Sequence, residues 1–167
     1  MLYVYMKRSD FEIMAPVGSR ESLSAAINAG ADAVYFGVEG LNMRSKSSAN
    51  FTLDDLRDIA ATCTGHGVKT YLTVNTIVYD EDLEKVDAIV SAAAEAGISA
   101  VIASDLAVFA ACRRHGVEIH ISTQCNISNI EAVRFYSAYA DVMVLARELN
   151  LDQVAAISQA IEREDIC

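Results

Sequence analysis

The chain has 167 residues, enough for one domain with a substantial core. Just over half of them are apolar, which excludes a disordered chain, and the formal net charge of −10 disfavours non-specific binding to nucleic acid. No apolar run is long enough to span a bilayer, and Met1–Met6 is too short for a signal peptide and has no basic start, so the expectation is a cytoplasmic protein with reduced thiols and no membrane partner.

In chain order, residues 1–9 read as a poorly ordered leader and 10–167 as one partial domain. The apolar runs Phe11–Ala15, Ala33–Gly37, Val68–Val74, Ala100–Ala103, Glu118–Ser122 and Asp141–Ala146 have strand length and β-forming side chains. Between them lie amphipathic stretches such as Leu56, Ile59, Ala60 and Cys63, spaced for one face of a helix. Gly30, Gly67, Gly97 and Gly116 each fall between a helical stretch and a strand, where glycine accepts the left-handed turn that ends a helix. Thr52 with Asp55, Ser128 with Glu131, and Asn150 with Gln153 have capping-box spacing.

Strand and helix therefore alternate through six βα units. Parallel strands require such crossovers, and the pattern fits either an open doubly wound sheet or an eight-fold barrel. A whole barrel takes about 250 residues, so the fold class read here is a parallel (β/α) barrel of the TIM type with about six of eight units, truncated before closure. Its first and sixth strands would be apolar edges, and self-association of the chain is expected.

In βα folds, ligands sit at the C-terminal ends of the strands. Each run here exits into polar residues. Arg44 follows the second, Asn75 the third, Asp105 the fourth, Gln124 and Asn126 the fifth, and Arg147 with Glu148 the sixth. Strand periodicity puts His120, Ser122 and Gln124 on one face of the fifth run, and Tyr71, Thr73 and Asn75 on one face of the third. These faces should look into the barrel. The substrate-binding candidates are thus Arg44, Asn75, Asp105, His120, Gln124, Asn126, Arg147 and Glu148. Structural roles compete for several. Asp105 fits a helix cap, Asn75 and Asn126 fit turns, His120 fits a satisfied interior histidine, and Arg147 with Glu148 fits an ion pair. His66 and His115 sit beside helix-ending glycines at the opposite end and read as structural.

No hydrolytic machinery is evident in the pattern. Ser122 and His120, two apart on one strand, project in parallel about 7 Å apart, too far for nucleophile activation. Cys125 would lie on the face opposite His120. Cys63 and Cys112 read as small packing residues on helices, and the spacing of the four cysteines matches no metal motif.

Five segments together resemble a known family. They are Ile13-Met14-Ala15-Pro16-Val17-Gly18, Gly30-Ala31-Asp32-Ala33-Val34-Tyr35-Phe36-Gly37, Tyr71-Leu72-Thr73-Val74-Asn75-Thr76, Ile119-His120-Ile121-Ser122-Thr123-Gln124 and Val144-Leu145-Ala146-Arg147-Glu148-Leu149. Their order and spacing are similar to the collagenase-like peptidase family, family thirty-two of the peptidases of unknown mechanism. The resemblance runs from about Asp10 to Ser158 and covers the family's N-terminal part. It implies a barrel fold and a cytoplasmic protein. Members are named as peptidases, while others take part in hydroxylating tRNA or rRNA bases with an iron–sulfur cluster and prephenate as hydroxyl source. Thr123-Gln124-Cys125 and the segment Leu145–Gln153 look most like the rRNA cytidine type. The family's cysteine segment follows the sixth unit, and Cys167 falls before it. The expectation is therefore a chain without cofactor ligands and inactive alone, with a 4Fe-4S cluster and RNA belonging to a full-length parent and a small carboxylate at the mouth. A collagenase-like peptidase is the alternative, and a non-catalytic barrel binding a small anion or a partner is the third.

Overall fold

The computed structural model describes residues 7–38 and 51–166. The strands are β1 (Met14–Pro16), β2 (Ala33–Phe36), β3 (Lys69–Val74), β4 (Ala100–Ala103), β5 (Glu118–Ile121) and β6 (Val142–Met143). The helices are α1 (Arg20–Asn28), α2 (Leu56–Gly65), α3 (Leu83–Ala96), α4 (Leu106–His115), α5 (Ile130–Tyr136) and α6 (Leu151–Glu164). The six strands form one parallel sheet in the order β1-β2-β3-β4-β5-β6. Each strand lies beside its predecessor and the order never reverses. A doubly wound sheet would have a switch point where it does. The architecture is a partial (β/α) barrel, open between β1 and β6.

Period two divides the strand residues between two environments. Val34, Phe36, Leu72, Val74, Val101, Ala103, Ile119 and Ile121 face the helices, where they meet Ile59, Cys63, Ile89, Val90, Phe109 and Cys112 in the main core. Ala33, Tyr71, Ala100 and Ile102 form a smaller cluster on the inner face, with Tyr35 against it. Full burial of an aliphatic side chain contributes roughly 1.5–3 kcal/mol, so the helix-side layer carries most of the folding free energy.

The local signals act as their chemistry requires. All four glycines between helix and strand have positive φ. At Gly97 (φ 78°) the turn lets the Ile98 N–H reach the Ala93 carbonyl at 3.0 Å, and at Gly116 (φ 68°) the Val117 N–H reaches Cys112 at 3.0 Å. Each bond satisfies a late helical carbonyl and aims the chain directly into β4 or β5. Thr52 with Asp55 and Asn150 with Gln153 form the expected reciprocal caps. The Ser128–Glu131 box does not form. Asn129 caps α5 instead, accepting from the Ala132 N–H at 3.0 Å, and Glu131 pairs with Arg134. Ser19 caps α1 through Ser22, a pair the spacing rule does not single out because serine stands where Glu or Gln is sought.

Two strands differ from their apolar runs by more than one residue. β1 begins at Met14 rather than Phe11, since Ile13 is taken up by Asp32, whose carboxylate accepts from the Ile13 N–H at 2.6 Å. β6 is confined to Val142–Met143 because β5 turns away after Ile121. The chain rejoins as a bridge between Ile127 and Leu145. Ahead of β1, Arg8–Asp10 form a 3-10 turn, and Arg8 pairs with Asp32 at 2.8 Å. No helix among the described residues is long and apolar enough to cross a membrane.

Candidate functional site

The polar exits lie together at the C-terminal end of the sheet, as the topology demands, but several candidates are occupied by structure. Asp105 caps α4: one oxygen accepts from the Ala107 N–H at 2.9 Å, the other from the Val78 N–H at 3.3 Å. These bonds tie the β3–α3 loop to α4. Ser122 is buried and caps a 3-10 turn over Thr123–Cys125, accepting from the Gln124 N–H at 3.4 Å. β5 has already ended, so Gln124 does not continue the His120–Ser122 face. It is exposed on that turn. Asn126 closes the turn with φ 50°, a left-handed position that asparagine tolerates through its short polar side chain. Arg147 and Glu148 occupy an exposed turn after β6 and form no ion pair with each other. Asn75 follows β3 directly and is partly buried. Arg44 lies outside the described residues.

Two hydroxyls stand out at the end of β3. Thr73 Oγ1 and Thr76 Oγ1 are buried without a hydrogen-bond partner. A buried unsatisfied hydroxyl costs about 1–3 kcal/mol, and it marks the part of the mouth where the fold leaves polar valence unused. Thr76 was not singled out in the sequence, because threonine after a strand is ordinary. Only its burial is informative.

His120 belongs to the other end of the barrel. Register puts Tyr71 opposite Ala100 and Ala100 opposite Glu118, so these side chains share the inner face. The His120 ring packs 4.6 Å from that of Tyr71, and Nε2 lies 2.8 Å from Glu118 Oε1. Tyr71 Oη donates to Glu12 Oε1 at 2.6 Å, and Lys69 Nζ donates to Glu12 Oε2 at 2.7 Å. Lys69 and Glu118 are the first residues of their strands, so this network forms the barrel floor. Its members come from the first, third and fifth strand positions, the alternate-strand layering of barrel interiors. Burial raises the Glu12 carboxyl, but the hydrogen bonds from Lys69 and Tyr71 outweigh it and hold it below the usual glutamate range. Burial, then the bond to Glu12, pushes the Tyr71 phenol well above its ordinary value. Glu12, Lys69 and Glu118 escaped the sequence reading because pairing depends on register.

The cysteines are apart. Cys63 and Cys112 are buried between helices and sheet, and burial raises both thiols, Cys112 to about 12. Cys125 packs on the helix side with its Sγ 3.5 Å from the Ser104 carbonyl, on the face opposite His120, and burial raises its thiol too. No group of three or more His, Cys, Asp or Glu side chains that could hold a metal ion occurs among the described residues. His66 contacts the Thr62 carbonyl and His115 contacts Asp87, both at helix ends away from the mouth. A groove of about 740 Å³ also lies at the floor end, between the end of α4 and the start of β6, lined by Arg113, Glu118, Tyr139 and Asp141. It is on the side opposite the polar strand exits.

Comparison with known proteins places the chain. The model of peptidase family U32 matches residues 18–165. The chain belongs to this family. Among U32 relatives, a "Collagenase" of Porphyromonas gingivalis is 61% identical over 97% of this chain and 39% of its own length. The 23S rRNA 5-hydroxycytidine C2501 synthase of Escherichia coli is 35% identical over 90% of this chain and 23% of its own. The tRNA hydroxylation protein P1 of Bacillus subtilis is 31% identical over 92% and 37%. The chain thus spans well under half the length of these relatives. A solved U32 peptidase superposes with a TM-score of 0.71 at 14% identity, covering 89% of this chain and 64% of that one. The HMG-CoA lyase of Bacillus subtilis gives 0.64, also at 14% identity, covering 96% and 65%. These likenesses establish the barrel-type fold.

Proposed function

We propose that this chain is the mouth-forming part of a longer cytoplasmic protein that hydroxylates a base in tRNA or rRNA, using a prephenate-like carboxylate. The observation that carries this reading is that the would-be hydrolytic groups among the described residues are engaged in structure. His120 is held in the floor network, Asp105 caps α4, and Cys125 sits across the sheet from His120 with a raised thiol pKa. A thiol peptidase needs a thiolate beside a base, and a serine peptidase needs a base within hydrogen-bond reach. Neither pair is assembled among the described residues. The relatives named for RNA hydroxylation support the same direction.

Arg147 is suited to a carboxylate, since its guanidinium offers a two-pronged donor, and it makes no ion pair among the described residues. Asn75, Gln124 and Asn126 supply neutral donors and acceptors for orienting a ring or a base. The separated cysteines do not fit a 4Fe-4S cluster, so any cluster ligands would lie outside the described residues, and no chemical step is assigned to one here.

The second reading is a peptidase, favoured by the 61% identity to a protein named collagenase. The deciding experiment uses the full-length protein purified without oxygen, with iron and sulfide assayed. Nucleosides from tRNA and rRNA of a strain lacking the gene are measured alongside by mass spectrometry. A stoichiometric cluster and a missing hydroxylated pyrimidine support the hydroxylation reading. Iron-free protein and unchanged nucleosides, with cleavage of gelatin or a collagen peptide, would return the assignment to a peptidase.

A further inference from the structure

We infer that the rim of the mouth built by the β3–α3 loop and the start of α4 is a docking surface for a basic, apolar segment of a partner protein. Four large apolar side chains are exposed there: Ile77 (72%), Tyr79 (61%), Leu106 (59%) and Leu83 (45%). They are neighbours by construction. Val78 turns inward onto the core, so Ile77 and Tyr79 on either side of it turn outward. The Val78 N–H is bound to Asp105, the residue before Leu106, and Leu83 begins α3 just beyond Tyr79. The surface is also preorganised. Asp105 fixes the loop to α4, and Asp82 accepts from the Tyr79 N–H at 3.2 Å. A partner would therefore bind without the cost of ordering this loop.

Charge selects the occupant. Asp80, Glu81, Asp82 and Glu84 frame the apolar residues, and none has a salt-bridge partner among the described residues. Lys85 is the one basic residue in the sequence from Ile77 to Glu95. Capping accounts for Asp82, and a favourable end of the α3 dipole accounts for some of the remaining charge. Neither accounts for exposed Ile77, Tyr79 and Leu106 in the middle of it. Four carboxylates repel RNA phosphate and anionic lipid. A second copy of a chain of net charge −10 would bring one acidic rim against another. A protein segment with one or two apolar side chains between lysines or arginines satisfies both features. This inference stands apart from the RNA-modifying reading. If both hold, RNA approaches the mouth from another side.

The test uses a labelled helical peptide with a leucine face and lysine flanks, and a matched leucine–glutamate peptide as control. Binding is read by fluorescence anisotropy and located by hydrogen exchange. The expected result is saturable binding of the basic peptide alone, weakened by salt, with protection confined to residues 76–84 and 104–108. Ile77→Ser with Leu106→Ser, and separately Asp80→Lys with Glu81→Lys, should each weaken it about tenfold or more, a loss near 1.4 kcal/mol. Thermal unfolding checks that the variants fold. If the apolar pair does not, the exposed charge-reversal pair decides. Absence of saturable binding, protection elsewhere, or indifference to the charge reversal would overturn the inference. So would a short RNA that protects the same segments, or a concentration-dependent dimer that buries them.

Discussion

Removing a single hydroxyl from the barrel floor tests whether the Glu12–Lys69–Tyr71–His120–Glu118 network holds β1 to β3. In Tyr71→Phe the ring and its contact with His120 remain, and only the 2.6 Å bond to Glu12 is lost. A hydrogen bond to a charged group is worth about 1.5–3 kcal/mol. Glu12 is 38% exposed at its side chain and keeps Lys69, so water replaces part of the loss, and about 1 kcal/mol is expected. For a domain of this size that lowers Tm by about 2–4 °C. The pH dependence has a definite sign. The folded-state pKa of Glu12 is depressed, so its contribution is complete above the ordinary glutamate pKa and disappears as pH falls through the lower folded value. The gap between wild type and Tyr71→Phe in urea unfolding should be full at neutral pH and close in acid. A double-mutant cycle with Glu12→Gln should recover the coupling. Equal stability of the two proteins at neutral pH, or a gap that persists after Glu12 is protonated, would refute the network as a stabilising element.

Other consequences are open to measurement. Asp105→Ala removes a helix cap and the loop tether together, and should cost about 1–2 kcal/mol in denaturant unfolding with faster exchange at the Val78 amide. Gly97→Ala meets no atom within 4 Å but must adopt φ near 78°, so about 1 kcal/mol of destabilisation is expected, and a neutral result would contradict the left-handed cap. Cys63 and Cys112 should resist thiol labelling until the protein unfolds, whereas half-buried Cys125 should react slowly in the native state. Fast native labelling of Cys112 would contradict its burial. In sedimentation, the chain by itself should self-associate, because β1 and β6 are unpaired edges with Ile13, Met14 and Val142 exposed. A monodisperse monomer would count against this.

The exposed apolar edges and the incomplete interior layer have the same cause. In a closed barrel, each inner layer takes its members from alternate strands. The floor layer here has contributions around β1, β3 and β5, and a seventh strand would complete it. Here Glu118 is half-exposed, with His120 Nε2 2.8 Å from it and the Lys69 charge acting on it as well.

The sequence by itself determined the six βα units, the helix-ending glycines, the Asn150 cap, and which strand residues face the helices. These follow from period two, period 3.6 and local backbone chemistry, all encoded within a few residues. It also put the polar exits at one end, because chain direction fixes that end for every parallel strand. What only the tertiary structure decided was which polar groups are free. Asp105 is taken by Val78, 27 residues away in sequence, and Glu12 by Tyr71, 59 residues away. His120 points into a floor layer assembled across strands, and Gln124 leaves its face because β5 stops at Ile121. Hydrogen bonding across strands depends on register, and register is a property of the assembled sheet that no local pattern contains.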